Sequence, residues 1–340
     1  MKKIPTLIIL FWFATIPAAH PQQSGVVEGR LVNLTDPSIV AQGADIEVIE
    51  LSSGMSIIRS ATTDASGKFL ISGLPADRRL MIRATYKGAN YHSQMAFSAG
   101  KANVEIGVYE PTASMKDIEV TSVSMAFQLT GGQLKALETV TINNKTRPPR
   151  VYTTPEGSFR ISKAPGILQP PQIRVTAPGS SMPLVQSAFE SADGKSYYTL
   201  YPLRPGLTTV EVQQLLPYTG QRYTFVKKFY QDAGSVNVGV IPRDMTLTGK
   251  GMSNIETDSQ RNFSVYVSQP VKAGTEVVWE FSGGTPVPEQ AEASGEAEPE
   301  VKPVPNAVGR NALIIGPLLL LGFIAVLWFS VNRSPAVKKK

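Results

Sequence analysis

The chain has 340 residues, with 33 lysines and arginines against 27 acidic residues, two histidines and no cysteine. The missing cysteines exclude disulfides, thiolate metal sites, covalent haem and thiol nucleophiles. Six of the basic residues (Lys2, Lys3, Arg333, Lys338, Lys339 and Lys340) sit at the two ends, so the rest of the charge balances and nucleic-acid binding has no support.

Residues 1–22 open with Met1-Lys2-Lys3, continue through an apolar run from Ile4 to Ile16, and end near Pro17-Ala18-Ala19. A charged start, a short apolar core and small residues make a secretory signal peptide. The run falls short of the ~20 residues that a span needs, and the alternative reading is an uncleaved anchor. The cut position stays open.

From residue 23 onward the pattern alternates with period two, and turn residues interrupt it often. Leu80, Ile82, Ala84 and Tyr86 share one face of an expected strand, and Val104, Ile106 and Val108 share another. Later, Tyr223/Phe225, Val236/Val238/Val240, Phe263/Val265/Val267 and Val277/Trp279/Phe281 are expected to point inward in the same way. Short strands with one buried face predict an all-β fold of two, or three, antiparallel β-sandwich domains. The expected boundary lies near Glu110-Pro111-Thr112. It separates a domain at 23–110 from a second sandwich region at 115–282, which the pattern leaves open as one unit or two.

Within the first domain, Thr63-Asp64-Ala65-Ser66-Gly67-Lys68-Phe69 reads as a turn with a side-chain hydrogen bond and a left-handed glycine. Phe69 and Ile71 then face the core, and Gly73-Leu74-Pro75 ends the strand. With Val27 to Val32 and Gly43 to Val48, this segment resembles the carboxypeptidase regulatory-like family, a transthyretin-like sandwich also described as a carbohydrate-binding-like fold. The resemblance covers about a quarter of the chain and implies the fold more than any function. It departs in two respects: related surface modules close an isopeptide bond from a first-strand lysine, where this chain has Arg30, and the histidines that a zinc carboxypeptidase needs are missing. Residues 115–283 look like a poorly characterised ectodomain that accompanies the module in bacterial envelope proteins. That likeness rests on Leu137 to Asn143, Tyr201 to Gly206 and Leu216-Pro217-Tyr218.

Chemistry-bearing motifs are sparse. His92, with His20 if the signal is cut early, is too little for a zinc site with several protein ligands. Leu216-Pro217-Tyr218-Thr219-Gly220 spells a sortase signal but stands far from any span, so it reads as a strand-end turn. Gly194-Lys195-Ser196 lacks the first glycine of a phosphate loop, and no Gly-x-Ser-x-Gly elbow occurs. Asp64, Asp193 and Asp232 sit beside Gly or Ser as turn residues do, and Arg147-Pro148-Pro149-Arg150 reads as a solvated loop. The expectation is therefore no catalytic site, no metal and no cofactor. The surface candidates are the aromatics Tyr197, Tyr198, Tyr201 and Tyr218, from a cluster that continues through Tyr223, Phe225, Phe229 and Tyr230. Such rings stack on sugars or anchor a protein partner when exposed, and fill the core when not.

Residues 283–310 carry five prolines and five glutamates without a large apolar residue beyond valine, the composition of an unfolded stalk. Ala312 to Val331 is uncharged and long enough to span a bilayer. The basic tail at 332–340 marks the cytoplasmic side. The expected protein is non-enzymatic, single-pass and displayed outside the cytoplasm, meeting a protein or glycan of the cell envelope. The rival readings are an accessory subunit of a larger membrane complex and, third, a hydrolase.

Overall fold

The computed structural model describes residues 24–286 apart from Ser53. The expected signal, most of the stalk, the span and the tail lie outside the described residues. Among the described residues the chain is all-β, arranged in several sheets, consistent with a β-sandwich architecture.

The first region comprises β1 (Ser24–Asn33), β2 (Asp45–Glu50), β3 (Ser56–Thr62), β4 (Lys68–Pro75), β5 (Leu80–Tyr86), β6 (Ala89–Gln94) and β7 (Lys101–Val108). One sheet has the order β4-β1-β7, with β1 parallel to β7, and the other has the order β3-β2-β5-β6. Side chains of both sheets enter one buried cluster that includes Val27, Leu31, Ile46, Phe69, Ile71, Ile82, Tyr86 and Ile106. Asp64 Oδ1 accepts the backbone N–H of Ser66 at 2.8 Å and of Lys68 at 2.9 Å, and Gly67 takes φ +75°. That turn aims Phe69 inward against Gly29, its partner across β1–β4. A Cβ on Gly29 would stand 2.2 Å from the Phe69 ring, so only glycine admits the phenylalanine.

The second region contains β8 (Pro111–Thr112), β9 (Ile118–Thr130), β10 (Gln133–Asn144), β11 (Val151–Tyr152), β12 (Phe159–Ser162), β13 (Gln172–Thr176), β14 (Leu184–Gln186) and β15 (Phe189–Glu190). It continues with β16 (Ser196–Thr199), β17 (Gly206–Pro217), β18 (Arg222–Lys228), β19 (Asn237–Ile241), β20 (Met245–Gly249), β21 (Met252–Asp258), β22 (Phe263–Ser268) and β23 (Glu276–Gly283). An eight-stranded sheet, β14-β13-β17-β10-β9-β19-β22-β21, faces two three-stranded sheets, β18-β23-β20 and β12-β16-β15. Residues of all three contribute to one buried cluster, so the region has a single core. At its centre the Phe127 ring meets Phe225 edge-on at 5.0 Å and Phe281 at 4.4 Å.

One strand reverses the expected facing. In β22 the buried residues are Ser264, Tyr266 and Ser268, while Phe263, Val265 and Val267 are partly exposed. Register decides this: Tyr266 lies opposite Val238 of β19, whose inward face is fixed by Val236, Val238 and Val240. The polar groups turned inward find partners there. Ser268 Oγ accepts Val236 N at 3.0 Å, and Tyr266 Oη accepts Leu247 N at 3.3 Å.

The regions join through Glu110. Its carboxylate accepts Asn33 Nδ2 at 2.8 Å, Tyr86 Oη at 2.7 Å and Lys87 Nζ at 2.6 Å, all from the first region. Its carbonyl accepts Val151 N at 3.0 Å, and β8 pairs with β11 in parallel. Thr35 Oγ1 accepts Glu110 N and donates to the Pro149 carbonyl. Arg147 and Pro148 are exposed, but the second half of that loop is thus tied into the junction rather than solvated.

Candidate functional site

The four aromatics singled out from the sequence separate in space. Tyr197 and Tyr218 are core residues, 5 % and 7 % exposed, and the Tyr218 hydroxyl donates to the Gly283 carbonyl at 2.7 Å. Tyr201 packs half-buried against the core. Tyr198 alone joins an outward row. Strand alternation turns Tyr197 in and Tyr198 out, and the β15–β16–β12 register sets Phe189, Tyr198 and Arg160 side by side. Phe189 and Tyr198 stack at 5.6 Å with 27° between their planes. Beyond Arg160 comes Tyr230, with the Arg160 guanidinium 5.6 Å and Lys228 Nζ 5.8 Å from its ring centre. The Leu216 to Gly220 motif is a hairpin end with Leu216 fully buried.

Beside this row opens a cleft of about 570 Å³. Met115, Ile118, Val120 and Tyr152 supply apolar surface. Gly157 and Ser158 line it from the approach to β12, Arg160 from β12 itself, and Tyr230, Gln231 and Asp232 from the chain after β18. Ser158 is buried and donates to the carbonyls of Thr199 and Tyr201, which anchors that segment. Three carboxylates reach the cleft. Glu119 pairs with Lys145, and Asp232 pairs with Lys272 at 2.9 Å, while Glu156 is exposed. Hydrogen bonds from Ala273 N and Lys272 hold the Asp232 carboxyl below its usual range. No acidic partner lies within ion-pair distance of Arg160 or Lys228 among the described residues.

Under the cleft lies a buried ion pair. Lys227 Nζ donates to Glu138 Oε2 at 2.8 Å, and the two side chains are 7 % and 6 % exposed. Lys227 also stands 5.0 Å from the centre of the Phe229 ring. A void of about 30 Å³ next to the pair shares Val120, Arg160, Tyr230 and Gln231 with the cleft. The pair joins β10 of the large sheet to β18 of a covering sheet.

Sequence reading missed Arg160, Tyr152 and Gln231, which carry no local signal and meet only through register and loop closure. The buried pair did have a signal. Glu138 continues the inward series Leu134, Ala136, Val140, and Lys227 continues Tyr223, Phe225. Charges of opposite sign at two inward positions announce a pair. Among the described residues no group of three His, Asp or Glu side chains could hold a metal ion.

No protein-family model matches the chain, and no curated protein matches it. Among solved structures it is similar to an M1 zinc metallopeptidase from Deinococcus radiodurans, at 12 % identity and TM-score 0.28 over 48 % of this chain and 42 % of that one. A mutant of that peptidase bound to a Tyr-Ser-Ala substrate gives 12 % identity and TM-score 0.29 over the same shares. The chain thus spans less than half the length of these structures, and likeness at this level carries no argument about activity.

Proposed function

We propose that the chain is a non-enzymatic, membrane-anchored envelope protein with a carboxypeptidase regulatory-like domain and a second β-sandwich domain, the second presenting a binding cleft outside the cytoplasm. The observation that carries the reading is the cleft itself, a trough with an apolar floor bordered by Tyr230 and Arg160. Its volume lies in the usual ligand-site range of about 300–1,000 Å³.

The test is capture by the full-length chain in mild detergent. A ligand retained by the wild type should be lost in Arg160→Ala and Tyr230→Ala, with thermal melts unchanged. Stoichiometric membrane partners that persist in both variants would favour the accessory-subunit reading instead.

A further inference from the structure

We propose that the cleft takes a pyranose glycan. The inference deepens the binding reading above and rests on it. A pyranose offers a weakly polar C–H face and a rim of adjacent hydroxyl pairs, and it asks for two kinds of partner at once. The first is an aromatic surface, and the cleft has the partly exposed Tyr230 at its wall. The second is a set of planar polar groups, each able to form two parallel hydrogen bonds with neighbouring hydroxyls. Arg160, Glu156, Gln231 and Asp232 supply such groups as guanidinium, carboxylate and carboxamide around one opening.

Other occupants fit less well. A peptide anchor needs a pocket that swallows an apolar side chain. Here Ile118 and Tyr152 are each 8 % exposed and close the floor. A polyanion would meet Glu119, Glu156 and Asp232 at the rim. A divalent cation would compete with Lys145 and Lys272, which already hold two of those carboxylates. A neutral polyhydroxyl ligand suits mixed charge of this kind, because it donates to carboxylates and accepts from Arg160 and Gln231 in one pose. The groups are also held in place beforehand: Asp232 by Ala273 N at 2.9 Å, and the Gly157–Ser158 wall by Ser158 bonds to β16 and the chain beyond it. Pre-set groups lose less entropy on binding.

The experiment titrates detergent-solubilised full-length protein with cellotriose, chitotriose, mannotriose and trigalacturonate, by calorimetry up to millimolar sugar. At least one should bind, and Tyr230→Ala and Gln231→Ala should each weaken it by about tenfold or more. Val185→Ala, on the exposed edge strand β14, should leave binding unchanged. Melting curves confirm that each variant is folded. If no sugar binds while a protein ligand is captured in a Tyr230-dependent way, the glycan assignment is overturned and the binding reading stands. If neither a sugar nor a protein ligand depends on Tyr230, both fall. Preference for trigalacturonate over every neutral sugar would overturn the neutral pose argued from the rim carboxylates.

Discussion

The two regions hold their sheets together by different means. Between the sheets of β1–β7 lie aliphatic and aromatic side chains, closed at one point by the approach of Phe69 to Gly29, and the one buried carboxylate of β2, Glu50, is reached from the surface by the half-exposed Arg78. The space under the eight-stranded sheet has an aromatic centre too, but it also contains Lys227 and Glu138. The cause is the covering layer. One sheet covers the small region, whereas two short sheets cover the large one, and they meet where Lys228 N donates to Ser162 Oγ at 3.0 Å. At that seam the core turns polar, and the cleft opens above it. The cleft therefore arises where two covering sheets leave a seam, which the first region does not have.

Removing one member of the buried pair should have the largest effect. Glu138→Ala leaves an ammonium in an apolar site, at a cost of about 3–5 kcal/mol. Lys227→Met with Glu138→Leu should come close to wild-type stability, since both desolvation penalties vanish together. Denaturant unfolding of the single and double variants checks this. Equal, small effects in all of them would show that the pair is solvated and the seam is not a core feature.

Phe69→Ala tests the other region. Truncating a buried phenylalanine costs about 3–5 kcal/mol, and the Gly29 hollow beneath it has no side chain of its own with which to collapse. Calorimetry should show the loss, while ligand binding at the cleft survives at temperatures where the variant is folded. Loss of binding in the folded variant would mean that the first region contributes to the site.

The strands and turns were largely legible because they depend on short-range pattern. Leu80, Ile82, Ala84 and Tyr86 are buried as alternation predicts, and Asp64 to Lys68 forms the expected turn. Alternation failed in β22, where both faces offer plausible core residues and the pairing with β19 chose the serine and tyrosine side. Of the aromatic candidates, the pattern could not separate Tyr197 from Tyr198, since sequence shows that neighbours face opposite ways but not which one faces out. Of the cleft, the sequence marked only Tyr230, as one of a long aromatic cluster, and Asp232, as a turn residue. Met115, Tyr152, Arg160 and Tyr230 come from four stretches of chain, and only the folded register unites them.

The junction between the regions should respond to acid. Burial raises the Glu110 carboxyl, but hydrogen bonds from Lys87, Tyr86 and Asn33 outweigh it and hold the group below the ordinary carboxylate range. A lowered folded value means that the ionised form stabilises the fold. This contribution is complete above the ordinary value of about 4.3 and fades as pH falls through the folded value. Unfolding measured between pH 6 and pH 3 should therefore show a steeper loss for the wild type than for Glu110→Gln. Parallel curves would remove the Glu110 carboxylate as a stabilising contact at the junction.

The smallest expected effect falls at Asp64, and it sharpens the contrast between a scaffold turn and a site. Asp64 Oδ1 accepts three hydrogen bonds, from Ser66 N, Ser66 Oγ and Lys68 N, yet the group is fully exposed to water. Water replaces much of what an alanine removes, so Asp64→Ala should lower the melting temperature only slightly. Gly67 can still reach its left-handed conformation, so Phe69 should still enter the core. Binding at the cleft should not change, because no residue of the turn lines it. A thermal melt paired with the ligand titration reads both quantities on one preparation. If Asp64→Ala left the melt intact but abolished binding, a recognition site would exist in the first region, and the division between a supporting region and a binding region would fail.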